Sequence, residues 1–331
     1  MAGTREIHPV NLTGFLAAPY HTHIMAFTHS VPDGFQLQYS DEWTIGLSQR
    51  ASRLQSYIDV EQISGESKRF QRISPVTSRR VTERFGTSNP DDINTEYRWL
   101  DVHFDKAVHR MSRIDALMLG STGSPHNAVL RAHLQEAGRQ MDATIIAGCL
   151  GGVRAGKTGG TTLALPAAQT IPVNFVDSGV PVNSGMTFAK LLEIATKFSI
   201  DQVVGQDVED TSQACLMLTP RQVKNLLNEQ KLTSSDFGLQ RLVDGQIVHA
   251  FGMAIKSVSP ALLPYDPVTG IRTCVAFARE AMVFGMSESP TSRVDELIEG
   301  DFDVQIYSSW GWGACRRIDE GVIVIPCAET P

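Results

Sequence analysis

The stretch ATIIAGCLGGVRAGKTGGTTLALP, residues 143–166, can be read in two incompatible ways. Its middle matches G-x-x-x-x-G-K-[ST] without a mismatch, at Gly151, Gly156, Lys157 and Thr158. That pattern marks the loop with which ATP- and GTP-hydrolysing enzymes cradle phosphates. The chemistry requires a buried strand ahead of the glycines and a helix starting at the Lys-Thr pair, so that backbone N–H groups and the helix dipole meet the anion. Here the preceding residues read as the end of a helix. The following GGTTLALP is a poor helix start, with two glycines, two β-branched threonines and a proline. No apolar strand ending in Asp is available to hold Mg²⁺; residues 203–207, VVGQD, come nearest, and Gly205 and Gln206 interrupt them. The stretch therefore reads as a flexible exit from a long helix.

Working outward, Ser124 supplies a cap and Pro125 fits a first turn. Leu130, Leu134, Ala137, Met141 and Ile145 then recur at spacings of four, three, four and four. This predicts one buried stripe on a helix of roughly 25 residues, about 37 Å long. A second helix is predicted over residues 187–200, with Leu191, Leu192, Ala195 and Phe198 on one face. A strand, ACLML at 214–218, leads to Thr219 as cap and Pro220 at the first helical position. Residues 244–245 read as a turn, 246–258 as strand, glycine break, strand, and 274–284 as a strand leading into a short helix. Strands at 304–308 and 322–327 follow. The order is α+β rather than alternating βαβ units.

The first 114 residues or so are polar, with short apolar pieces. Between residues 62 and 94 lie Lys68, Arg69, Arg72, Arg79, Arg80 and Arg84 among few large aliphatics. Such a segment buries little apolar surface by itself. It reads either as an extended arm or hairpin stabilised from outside, or as a surface loop. The chain has 331 residues and a net charge of −7, a poor balance for gripping nucleic acid as a main task. Five widely spaced cysteines, without a C-x-x-C pair, suggest a reducing cytosol rather than a disulfide framework. The N-terminus lacks the pattern of a secretion signal, and no apolar run suggests a membrane span, so a soluble protein made in a cytoplasm is expected.

No catalytic, cofactor-binding or metal-binding residue is assigned. His21 and His23 lack further ligands nearby to complete a tetrahedral set. His103, His109, His126, His133 and His249 read as ordinary surface or packing residues, and Asp91–Asp92 and Asp319–Glu320 as solvated turns. Trp310 and Trp312, in SWGWGA, read equally as a contact surface or as core anchors flanked by glycine.

Four pieces in order resemble a known family: SYIDVEQISGESKRFQRISPVTSRRVTERFGTSNP with YRWLDVHFDKAVHRMSRID; RQMDATIIAGCLGGVRAGKTGGTTLALPAAQTIP; LTPRQVKNLLNEQKLTSSDFGLQRLVDGQIVHAFGMAIKSVSPALLP; and CVAFAREAMVFGM with GACRRIDEGVIVIPCAE. Together they resemble the major capsid (coat) proteins of tailed double-stranded DNA bacteriophages with the Hong Kong 97-like fold, most closely a short-tailed phage group. The resemblance implies an N-terminal arm at 1–34, and an extended hairpin loop with peripheral-domain strands at 35–122. It implies a spine helix and Gly/Thr-rich connection at 123–185, then an axial domain and returning peripheral-domain strands at 186–331. It further implies self-assembly into pentamers and hexamers of an icosahedral shell, with no catalysis and no cofactor. Cementing, scaffold and portal proteins are implied partners, with packaged double-stranded DNA on the inner face and no membrane. The location implied is the virion, after synthesis in the bacterial cytoplasm. Two other readings stay open: a nucleotide-binding protein using the Gly151–Thr158 motif, and a minor ring-forming virion protein.

Overall fold

The computed structural model describes residues 49, 51–73, 78, 80, 94–112, 126–202, 214–228, 242–243, 246–247, 249–298 and 302–329. The expected arm at 1–34, His21, His23, Arg79, Arg84, Asp91, Asp92, Ser124, Pro125 and the segments 203–207 and 244–245 lie outside them. Strands β1 (Asp59–Gln62), β2 (Ser67–Ile73), β3 (Thr95–Asp101) and β4 (His103–Met111) precede helix α1 (His126–Leu150). Next come β5 (Val153–Ala155), β6 (Thr161–Leu163), α2 (Phe188–Ile200), β7 (Ala214–Leu218) and α3 (Pro220–Asn228). Short strands β8 (Leu242–Val243), β9 (Gln246–Ile247), β10 (His249–Ala250), β11 (Met253–Ser257) and β12 (Tyr265–Asp266) follow. The described chain ends with β13 (Ile271–Ala278), β14 (Met282–Leu297), β15 (Asp303–Arg316) and β16 (Val322–Ala328).

Helix α1 has 25 residues and lies along a sheet of order β1-β14-β15-β4. Its buried row is His133, Ala137, Met141, Ile145 and Cys149, every fourth residue. This corrects the expected stripe at one position: Leu134 is 51% exposed and His133 takes the inward place. The floor there presents His109 and Ser308, which give an imidazole hydrogen-bond partners that a leucine could not use. At the other end Gly148 presses on the sheet; a Cβ on it would stand 2.8 Å from the Ala314 Cβ.

Strands β14 and β15 pair antiparallel from Met282↔Arg316 out to Leu297↔Asp303, with irregularities between Met286 and Thr291 where Pro290 cannot donate to a ladder. The strand expected at 304–308 is thus part of a longer one containing SWGWGA. Its glycines are not breaks: a side chain on Gly311 would strike the Phe104 ring, and one on Gly313 the Asp101 carbonyl oxygen. Gly311 leaves room for the ring of its cross-strand partner Phe104 on β4, and Gly313 lets the end of β3 cross close over the sheet. On the far edge β1 pairs parallel with β14, Asp59 opposite Val283.

A second sheet runs β10-β11-β7-β13-β12, with β16 along β13. Strand β7 is buried throughout and lies between parallel β11 and antiparallel β13, as its unbroken apolar run requires. Thr187 accepts a hydrogen bond from the Lys190 amide and caps α2, and Pro220 opens α3 directly after Thr219. The buried face of α2 is Lys190, Leu191, Ile194 and Phe198, whereas the expected Leu192 is 40% exposed. The helix expected within 274–284 is only a single 3-10 turn at Arg279–Ala281, between strands β13 and β14. A third sheet, β2-β3-β5-β6, stands over the β14–β15 crossing, where Ile63, Leu100, Val153, Val283 and Cys315 form a small separate core.

Candidate functional site

The glycine stretch is the turn of the β5–β6 hairpin. The motif's first glycine follows helix α1 and its Lys-Thr pair leads into strand β6, whereas phosphate binding needs a strand before the glycines and a helix at the Lys-Thr pair. Gly156 and Gly159 have φ of 86° and 72°, the left-handed backbone that closes the turn. The Gly156 amide donates to the Tyr97 carbonyl at 3.2 Å, and the Gly159 amide to the Gly156 carbonyl at 3.2 Å. Trp99 Nε1 donates to the Gly156 carbonyl at 2.8 Å and Arg154 Nε to that of Gly159 at 3.2 Å. These amides are committed to the protein itself, and Lys157 and Thr158 stand exposed. The expected flexible exit is corrected to a held turn, pinned by an indole and a guanidinium that local composition does not reveal.

Arg316 forms the joint beneath this hairpin. Fully buried, it donates to the carbonyls of Cys149 at 2.7 Å, of Gly151, and of Leu163 at 3.3 Å. It thereby satisfies carbonyls that the end of α1 leaves open, with a cation at the negative pole of the helix. Its Nε donates to Asp319 at 3.1 Å, and Arg98 donates to the other oxygen of Asp319 at 2.8 Å. Glu320 takes Arg72 at 3.0 Å. Asp319–Glu320 is therefore no solvated turn: the pair ties the hairpin sheet to β15 through Arg316, three residues away, and through Arg72 and Arg98, both far away in sequence.

Other polar anchors are equally non-local. The Asp142 carboxylate, fully buried on α1, accepts from Ser52 Oγ at 2.5 Å and from the amides of Arg53 and Leu54 at 3.1 and 3.3 Å. Lys190 Nζ donates to four carbonyls, those of Val173, Ser184, Gly185 and Pro326, at 2.8, 2.9, 3.1 and 3.3 Å. Burial holds the pKa of this amine below the ordinary lysine value. His109 and His133 meet at 2.7 Å, and His133 continues to Ser308 at 2.8 Å. Burial first, then the neighbouring His109, lowers the pKa of His133. His109 is a surface residue and His133 a packing residue, and the structure joins the two; a sequence signal for the inward place of His133 existed in its four-residue spacing from Ala137 and Met141. Lys190 and Asp142, each ionisable on an apolar helix face, carried the same kind of signal.

Trp310 and Trp312 stack at 5.7 Å and are buried, which decides for the core-anchor alternative. His103 and His109 are largely exposed, His249 half-buried. All five cysteines are buried free thiols; burial pushes Cys149 and Cys315 up to about 12. Among the described residues no cluster of metal-ligating side chains occurs, and no helix is long and apolar enough to cross a membrane.

Buried ions here join helix, hairpin and sheet to one another. The chain belongs to the phage capsid protein family, whose model matches residues 31–329. It is therefore a phage capsid protein, a component of the virion. In fold it is similar to the capsid of cyanophage P-SCSP1u, at 14% identity and a TM-score of 0.65, over 90% of this chain and 94% of the other. It is similar also to the capsid of cyanophage Pam1, at 11% identity and a TM-score of 0.64, over 92% and 99%. A structure from Mycobacterium phage Che8 matches at 15% identity and a TM-score of 0.61, over 91% and 98%. These likenesses bear out the Hong Kong 97-like α+β fold expected from the sequence. No curated protein sequence matches the chain.

Proposed function

We propose that this capsid protein is the major subunit of an icosahedral shell, assembling with its own copies into pentamers and hexamers around double-stranded phage DNA. The observation that carries the reading is the family match across residues 31–329, nearly the whole chain. The physical design agrees with it. A hairpin sheet held to the body by Arg72, Arg98 and Arg316 is a rigid projection, suited to contacts with neighbours. The subunit has no catalytic role, is made in the host cytoplasm, and meets portal, scaffold or cementing proteins through the assembled shell. The segment 1–34 acts as an arm and 35–122 supplies the reaching hairpin, with the spine helix and its connection at 123–185 and the axial domain at 186–331.

Electron microscopy of the protein expressed alone tests this reading. Closed icosahedral shells are the expected result. Only monomers or small rings would overturn it in favour of a minor ring-forming component.

A further inference from the structure

Beneath the hairpin sheet, beside the small core that holds Cys315, the buried arginines are unequally satisfied. Every side-chain nitrogen of Arg316 has an acceptor: Nε meets Asp319, Nη1 the Cys149 carbonyl and Nη2 that of Leu163. Arg98 differs. It is 4% exposed, and its Nη2 donates to Asp319 at 2.8 Å. Its Nε and Nη1 are buried and meet no acceptor among the described residues. The same holds for Nε of Arg317, whose Nη2 donates to Glu61 at 2.9 Å. A buried guanidinium N–H left open is costly, and native interiors rarely tolerate three together.

The open sides of these two arginines border one space. Phe70 stands opposite Arg98 in the β2–β3 register, and the Arg317 guanidinium lies 5.2 Å from the centre of the same ring. Phe70 packs on the small core, and the Cys315 thiol of that core lies within the field of both arginines. The ring thus roofs the space, Cys315 lies at its floor, and Arg317, a quarter exposed, closes its outer side.

Charge is unbalanced at the same place. Arg98 and Arg316 share the one carboxylate of Asp319. Glu96 reaches Arg98 only at 3.8 Å, and its side chain is 48% exposed. Cys315 supplies no counter-charge: burial pushes its pKa up to about 12, even against Arg317, Arg98 and Arg316, and it stays a neutral thiol. A water molecule would accept from the open N–H groups but leave the second buried cation uncompensated.

We infer that Arg98 and Arg317 bind a small inorganic anion, of which chloride is the simplest, in the space between them under Phe70. The ion accepts from Nε and Nη1 of Arg98 and from Nε of Arg317, and it balances the charge that Asp319 leaves over. A nucleotide or a nucleic acid backbone does not fit the place, because Arg98 is too deeply buried for a phosphodiester to reach. The ion adds a further tie between the hairpin sheet and the end of β15, beside those made by Asp319 and Glu320. All its ligands lie in one chain, so the site is present in the single subunit and does not depend on the shell reading.

Thermal unfolding of the unassembled subunit in sodium chloride and in sodium gluconate, at one ionic strength of about 0.2 M, tests the site. Gluconate is too large to enter. Chloride is expected to raise Tm by at least about 2 °C, with a gain that saturates as its concentration rises. Arg98→Met is expected to abolish the difference between the salts, whereas Lys157→Ala, on the exposed turn, keeps it. Equal Tm values in the two salts, or a chloride gain that survives in Arg98→Met, would overturn the inference. Should Arg98→Met fail to fold, wild-type crystals grown in sodium bromide decide the matter. Anomalous density within about 3.5 Å of Arg98 Nη1 and Arg317 Nε is expected, and a water molecule in that place would sink the site.

Discussion

Arg316 and Cys149 meet at the last turn of the long helix, the guanidinium Nη1 donating to the Cys149 carbonyl oxygen at 2.7 Å. The same side chain holds Gly151, Leu163 and Asp319, so one buried cation fixes the helix end, the glycine hairpin and β15 together. Arg316→Met would strip these carbonyls of their donor and leave Asp319 with Arg98 alone. The expected loss is about 3–5 kcal/mol, the usual result of removing one partner of a buried pair. Urea denaturation of the unassembled subunit measures it, and a loss under about 1 kcal/mol would refute the joint.

The glycine turn should be rigid and blind to nucleotides. A methyl group at Gly159 would stand 2.9 Å from Arg154 Nη2 and 3.2 Å from Trp99 Nε1, on a backbone at φ 72°. Gly159→Ala is expected to lower stability by about 1–3 kcal/mol. ATP or GTP with Mg²⁺ is expected to leave Tm unchanged. A bound nucleotide at a hundred times its Kd would add about 2.7 kcal/mol and raise Tm visibly.

The histidine pair makes the helix–sheet contact sensitive to acid. His133 has its folded pKa lowered below 6.5, so the unfolded chain binds the proton more readily. Its contribution is complete above the unfolded pKa and is lost as pH falls from about 6.5 toward the lower folded value. Protonating both rings would also set two N–H groups against each other across the 2.7 Å contact. Denaturation midpoints of the unassembled subunit between pH 7.5 and pH 5, all chosen around the histidine range, should fall more steeply in the wild type than in His133→Gln. The difference in slope is bounded at about 1.4 kcal/mol per pH unit for one proton. Equal slopes would remove His133 as the cause.

Thiol chemistry supplies an independent check on the core. Burial raises Cys149 and Cys315 to about 12 and puts all five sulfurs out of reach. Ellman's reagent is expected to find no fast-reacting thiol in the native subunit and five after denaturation in guanidinium. Rapid native reaction of Cys149 would show that the end of α1 opens.

What could be read from the sequence follows the range of the forces involved. Thr187, Thr219 with Pro220, and the unbroken apolar run of β7 act over a few residues, and each element starts or lies where they put it. The same local logic excludes the phosphate motif, since a helix stands before its first glycine. By contrast, Asp319 reads as surface until Arg98 arrives from 221 residues away, and His133 reads as an accident until Ser308 arrives from 175 away. Ionisable residues settle their partners only in three dimensions. A lone charge on an apolar helix face, as at Asp142 and Lys190, signals that a partner exists but not which one. The length of β14 was hidden likewise, because its outer half is exposed and its inner half apolar, and neither period holds throughout.

The parallel pairing of β1 with β14 also sets a clock. Asp59 leaves the ribosome 224 residues before Val283, its neighbour in the sheet. At roughly 5–20 residues per second, that edge waits about 10–45 s for its partner. Until then Leu54, Ile58 and Ile63, buried in the finished subunit, have no sheet to cover them. Each copy thus becomes a competent building block only after β14 has been made, which separates the synthesis of its first strands from assembly in time.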